Sequence, residues 1–249
     1  MNLVEDNMIL LAGATGRVGG ATLATLVREG ARVAVLSRDR ERAQATIADV
    51  LDPALRERAL AIRADLSDPA AAAAAVAECV TAFGRIDALV NLAGSGGGRI
   101  ALSESKLDDL HFALAAFTET AYNLALPVLR AMLAQEPRDG ARSRGRIVTV
   151  TAGSSKAPAP GRGAFAAAKA GVNALMLAIA REHKADGIVA NALVLGGVAF
   201  AGAEKFYSPA DFAAAATPQE VADTLTFLAS DRASGINGAL VDLNAREID

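Results

Sequence analysis

Seven short apolar runs, separated by stretches of helix length, constrain most strongly what this 249-residue chain can fold into. They are Met8 to Ala12, Arg32 to Ser37, Leu60 to Ala64, Ala88 to Leu92, Arg146 to Thr151, Ile188 to Val194 and Ala239 to Leu243. Strands that are apolar on both faces cannot leave either face in water, and helix-length connections return the chain in the same direction each time. The pattern therefore predicts a parallel sheet covered by helices on each side. We expect an α/β chain with a doubly wound parallel sheet of seven strands in three α/β/α layers. No linker or composition break divides it, because the Gly/Pro-rich stretch Gly153 to Gly163 reads as one loop, so residues 1–249 are expected to form a single domain.

The first run leads into Gly13, Ala14, Thr15, Gly16, Arg17, Val18, Gly19 and Gly20, and then into a helix. The spacing Gly13-x-x-Gly16-x-x-Gly19 supplies small residues where the chain turns, where backbone must approach a phosphate, and where helix packs on strand. Backbone N–H groups and the helix dipole then face an anion. A strand before and a helix after make this a dinucleotide-binding, Rossmann-type loop.

Further along, Gly145 to Thr151 reads as a buried strand, followed by the Gly/Pro loop and a helix beginning Ala164, Phe165 and ending its first turns at Lys169, Ala170, Gly171 and Val172. With the glycine loop and the run Asn91, Leu92, Ala93, Gly94, this resembles the short-chain dehydrogenase/reductase family over nearly the whole chain. The resemblance implies a Tyr-x-x-x-Lys helix, in which the tyrosine exchanges a proton with substrate and the lysine lowers its pKa. Here Phe165 stands at the tyrosine position and Lys169 is retained. The family serine, thirteen residues earlier, corresponds to Ala152. The family asparagine, counted back thirteen from Pro127, corresponds to Leu114. Lys169 also contacts the nicotinamide ribose in the family, so its retention speaks for a cofactor site as well as for catalysis. Candidate substitutes for the lost acid are Ser154, His111 and Tyr207, each with a plainer reading as a loop hydrogen bond, a solvated helix position and lid packing.

The same resemblance carries the cofactor residues. Where NAD-specific relatives carry an acid after the second strand, this chain has Ser37 and Arg38; Arg38, with Arg17, would meet a 2′-phosphate, which favours NADP(H) over NAD(H). Arg38 and Asp39 read alternatively as a solvated turn with a helix cap. Asp65 and Leu66 match the adenine-contacting position, and Asn91, Ala93 and Gly94 the motif after the fourth strand. Beyond the sixth strand the family proline and threonine are replaced by Leu195 and Phe200, around Gly196 and Val198. Phe165, Ala152, Leu114 and Phe200 are expected to wall an apolar pocket for a small apolar ligand or substrate.

The net charge of −3 and pI near 5.5 leave no basic footprint for nucleic acid or an anionic membrane. The single cysteine, Cys79, rules out a disulfide within the chain and reads as a small buried side chain. With two histidines, His111 and His183, no metal site is expected. The N-terminus has no signal-like run, which points to the cytoplasm. The helical segments from about Ser105 to Gln135 and from about Arg162 to His183 are apolar beyond one stripe. In the resembling family such helices pair across a two-fold axis, implying a homo-oligomer (dimer or tetramer) or a hetero-oligomer with an intact relative. Three functions stay open: a nucleotide-binding protein without ordinary dehydrogenase activity, serving as partner subunit, sensor or non-redox scaffold; an NADPH-dependent oxidoreductase acting on a carbonyl or alkene with a non-standard proton donor; and, least favoured because the phosphate loop and Arg38 are intact, an interaction protein whose nucleotide site is vestigial.

Overall fold

The computed structural model describes residues 2–94, 98–203 and 208–243. All seven runs are strands: β1 (Met8–Ala12), β2 (Arg32–Ser37), β3 (Ala59–Arg63), β4 (Ala88–Asn91), β5 (Gly145–Ala152), β6 (Ile188–Leu195) and β7 (Leu240–Leu243). They form one sheet in the order β3-β2-β1-β4-β5-β6-β7, and every pairing is parallel. The order reverses between β1 and β4, so the crevice at the carboxyl ends of these two strands is where such a sheet receives a ligand.

The helices are α1 (Arg17–Arg28), α2 (Arg40–Val50), α3 (Pro69–Phe83), α4 (Leu107–Ala113), α5 (Thr120–Ala134), α6 (Gly163–Glu182), α7 (Pro209–Ala214) and α8 (Pro218–Leu228). Alternation along the strands explains the three layers. Leu10 and Ala12 face one core with Val76 and Cys79 of α3, Leu124 of α5 and Met176 of α6. Ile9 and Leu11 face the other, with Leu23 and Leu26 of α1, Ile47 of α2 and Leu225 of α8. Each large aliphatic side chain removed from water stabilises the fold by about 1.5–3 kcal/mol, which is why both faces must be covered.

Caps punctuate the helices where the composition suggests. The Asp39 carboxylate accepts from the Arg42 N–H and starts α2. Asp68 does the same for α3 with Pro69 at the first position, and Thr217 and Glu220 cap α8 reciprocally. Between α4 and α5 the expected long helix is continuous from residue 107 to 134, but it widens into a π-helical turn over Leu114–Glu119. That turn re-aims the side chains entering the site.

Candidate nucleotide and active site

Gly13 follows β1 with φ +87°, a left-handed conformation that glycine adopts without penalty. A Cβ here would lie 2.8 Å from the Leu92 carbonyl carbon beyond β4, so the two loops touch. Gly19 is tighter still: its Cβ would fall 2.1 Å from the Gly13 carbonyl oxygen, so only glycine lets α1 pack on the loop. No side chain caps Gly16, and the first turn of α1 carries no acid. The helix thus opens with uncapped backbone donors and the positive end of its dipole at the switch point, an arrangement that fits phosphate groups. Thr15 and Val18 are half-buried, while Gly16 and Arg17 are exposed.

At the end of β2 the Ser37 hydroxyl accepts from the Asp39 N–H at 3.2 Å. Arg38 is exposed, and its charge helps hold the Asp65 carboxyl below the usual carboxylate range; the larger cause is Ser67, which donates to Asp65 from its hydroxyl at 2.7 Å and its backbone N–H at 3.0 Å. Leu66 is buried, and its carbonyl accepts from Asn123 of α5 at 3.0 Å. Asn91 is buried and its side-chain oxygen accepts from the Ala93 N–H at 2.9 Å. Gly94, at φ +126°, lets the Phe117 ring come so close that a Cβ would be 2.6 Å from it. These residues all lie on the carboxyl-end loops of β1 to β4, so Arg38, Asp65 and the glycine loop share one edge of the sheet. Among the described residues no group of three or more His, Cys, Asp or Glu could hold a metal ion.

On the other side of the switch point, Lys169 is buried on α6. Its ammonium donates to the Val150 carbonyl at 3.1 Å and sits 4.5 Å from the centroid of the Phe117 ring. Burial pushes its pKa down to about 8. Phe165, one turn earlier, meets Phe117 edge to face, with centroids 5.1 Å apart and planes at 88°. The Arg162 guanidinium lies 5.2 Å from the Phe165 ring. Ala152 ends β5, and Ser154 lies in the single 3-10 turn Gly153–Ser155. The hydroxyl tied to α6 is that of Ser155, which accepts from Asn173 at 2.8 Å. His111 is exposed on α4. Tyr207 lies outside the described residues.

The aromatic neighbour of Lys169 is one that residue counting misses. Leu114 opens the π turn and is partly buried in the cluster around Ala113, Phe117 and Ala168, but the side chain touching both Phe165 and Lys169 is Phe117. The wide turn presents it, and Thr118 anchors that turn by donating to the Ala168 carbonyl at 2.8 Å. In sequence Phe117 is one of three rings, with Phe112 and Tyr122, in an alanine-rich stretch, and nothing there singles it out. Asn123, Arg162 and Asn173 were likewise unmarked.

Beyond β6, the Gly196 N–H donates to the Leu243 carbonyl at 3.1 Å, and Val198 bridges Ala216. Beside Phe200, the Arg17 guanidinium lies 4.0 Å from the ring centroid. A hollow of about 520 Å³ lies at the opposite end of the strands, beside Met8 and Arg85, and one of about 390 Å³ lies between α2 and β3.

The model for short chain dehydrogenases matches residues 7–210. A short-chain dehydrogenase/reductase of Penicillium canescens, olcF, is 29% identical, with 98% of this chain and 97% of that protein covered. The 3-oxoacyl-[acyl-carrier-protein] reductase of Escherichia coli is 28% identical over 96% of each. A solved short-chain dehydrogenase from Mycobacterium smegmatis superposes with a TM-score of 0.81 at 27% identity, covering all of this chain and 95% of that one.

Proposed function

The chain belongs to the short-chain dehydrogenase family, and from that premise we propose that it is an NADP(H)-binding member that has given up ordinary dehydrogenase chemistry. It acts in the cytoplasm as a partner subunit, a nucleotide sensor or a scaffold for a non-redox step. The observation that carries this reading is the environment of Lys169. Where a proton donor is required, the ammonium meets the ring of Phe117, which itself packs edge to face on Phe165, and Ala152 offers no hydroxyl. A bound dinucleotide would supply a hydride; nothing at Phe165 or Ala152 supplies the matching proton. General-acid participation is worth about 10²–10⁴ in rate and an oxyanion donor about 10²–10³, so losing both leaves little ordinary carbonyl reduction.

Gly13, Gly16 and Gly19 with the start of α1 would hold the diphosphate, Asp65 and Leu66 the adenosine, and Arg38 the 2′-phosphate. A charge-assisted hydrogen bond from Arg38 contributes about 1.5–3 kcal/mol. Arg38→Ala is expected to erase most of the preference for NADPH over NADH, and equal affinities in the unmutated protein would count against NADP(H). The decisive experiment is Phe165→Tyr with Ala152→Ser, following NADPH consumption with activated diketones and quinones. The double variant should exceed the wild-type background by up to about 10²-fold.

A second reading is supported by the same lysine. With its pKa brought down to about 8, the Lys169 ammonium is acidic enough to serve as the donor itself, in an oxidoreductase acting on a carbonyl or alkene. Wild-type turnover of many events per second, abolished by Lys169→Met while NADPH affinity is retained, would favour that reading over the first.

A further inference from the structure

Two departures from the resembling family's pattern meet in space. Arg17 stands where glycine is the commoner residue, and Phe200 where the threonine beyond β6 is expected. They lie 183 positions apart (200 − 17), Arg17 at the start of α1 and Phe200 beyond β6, yet the Arg17 guanidinium lies 4.0 Å from the Phe200 centroid.

We propose that Arg17 and Phe200 work as one unit, in which the ring holds the guanidinium across the mouth of the crevice so that it grips the diphosphate bridge of a bound dinucleotide. Arg17 is the binding residue and Phe200 its positioning residue, which moves Arg17 from the 2′-phosphate, where the resemblance set it beside Arg38, to the diphosphate and leaves the 2′-phosphate to Arg38; the proposal rests on the nucleotide reading above.

Three observations support it. A cation–π contact with the Phe200 ring engages no carboxylate or carbonyl acceptor, so Arg17 keeps N–H donors for an anion. Among the described residues, no hydrogen bond or ion pair to the Arg17 side chain accompanies the ring contact. Finally, Arg17 is the first residue of α1, and that helix has no acid in its first turn and no side-chain cap. A cation there is opposed by the helix dipole. A diphosphate at the same place reverses the sign of that interaction, and the Phe200 ring compensates it while the crevice awaits its ligand. A bare arginine at this position would swing into solvent; stacked, it loses less freedom when the ligand arrives.

The test titrates the full-length protein with NADP+ and, separately, with adenosine 2′-monophosphate, which shares the adenosine and 2′-phosphate but lacks the diphosphate. Phe200→Leu keeps an apolar side chain and removes the ring; it should weaken NADP+ by about two- to five-fold and leave adenosine 2′-monophosphate unchanged. Phe200→Tyr should behave as wild type. Arg17→Gln should weaken NADP+ by about tenfold or more, and adding Phe200→Leu to it should bring no further loss. The proposal is overturned if Phe200→Leu leaves NADP+ binding intact, weakens both ligands alike, or remains as harmful in the Arg17→Gln background. If wild type binds neither ligand, the nucleotide reading itself fails, and this one with it.

Discussion

Lys169 holds its charge with one carbonyl and one aromatic face in place of water. That sets a pH dependence of stability with a definite sign. Its pKa falls from an ordinary 10.5 to about 8 because burial disfavours the ammonium. Below pH 8 the amine is charged in folded and unfolded chains alike, and the burial cost is carried in full. Between about 8 and 10.5 the unfolded chain binds the extra proton, so stability should rise with pH, by about 1–3 kcal/mol in all. Cys79 works the other way: burial pushes its thiol up from 9.0 to about 12, so the stability it contributes is present below pH 9 and lost as pH climbs toward 12. Urea unfolding from pH 7 to 10 in a Cys79→Ala background isolates the lysine. The rise should be visible with Lys169 and absent with Lys169→Met. Lys169, Phe165 and Ala152 were singled out in the sequence only through the family resemblance, which implies a tyrosine and a serine at the last two positions. Phe117 was not, since which side chain reaches Lys169 depends on the π turn and on Thr118 fastening it to α6.

The joint between β1 and α1 makes a prediction at the scale of an element. Gly19→Ala would place a Cβ 2.1 Å from the Gly13 oxygen, against backbone that cannot yield without moving α1. It should cost about 1–3 kcal/mol in thermal or urea unfolding, and nucleotide binding with it. Gly16→Ala differs: its Cβ would have 3.4 Å to the same oxygen, and φ is −86°. That variant should unfold within about 0.5 kcal/mol of wild type while binding NADPH less tightly, because the methyl stands where a phosphate would approach. Loss of stability in Gly16→Ala comparable to that in Gly19→Ala would show that both glycines serve packing only. The strands were legible to within one residue at each end, because apolar runs bounded by turn residues admit few alternatives. The interruption between α4 and α5 was not, because composition scarcely distinguishes an α-helical turn from a π-helical one.

At the scale of the whole molecule, the helices 107–134 and 163–182 are long and apolar enough by length and composition to cross a membrane, yet both also pack through Leu124, Val128, Met132 and Met176 against the sheet. The first of them also exposes large apolar side chains: Leu107 is 65% exposed, Phe112 58% and Tyr122 50%. Such surface is costly to leave in water, and we expect it to be covered by a second copy of the chain or by an intact relative across a two-fold axis. Sedimentation at micromolar concentration should give a dimer or larger, and Phe112→Glu with Tyr122→Glu should shift it to monomer; a wild-type monomer, alone and with relatives, would refute the expectation. The sequence by itself determined the parallel seven-stranded sheet and the glycine loop at its switch point, because each follows from local periodicity or backbone freedom; that Phe165 and Ala152 stand where a Tyr and a Ser are expected is implied only by the family resemblance. Only the tertiary structure decided that Phe117 faces Lys169 and that Arg17 lies on Phe200. Those contacts join segments 52 and 183 positions apart (169 − 117 and 200 − 17), and their geometry is set by how helices and loops pack onto the sheet.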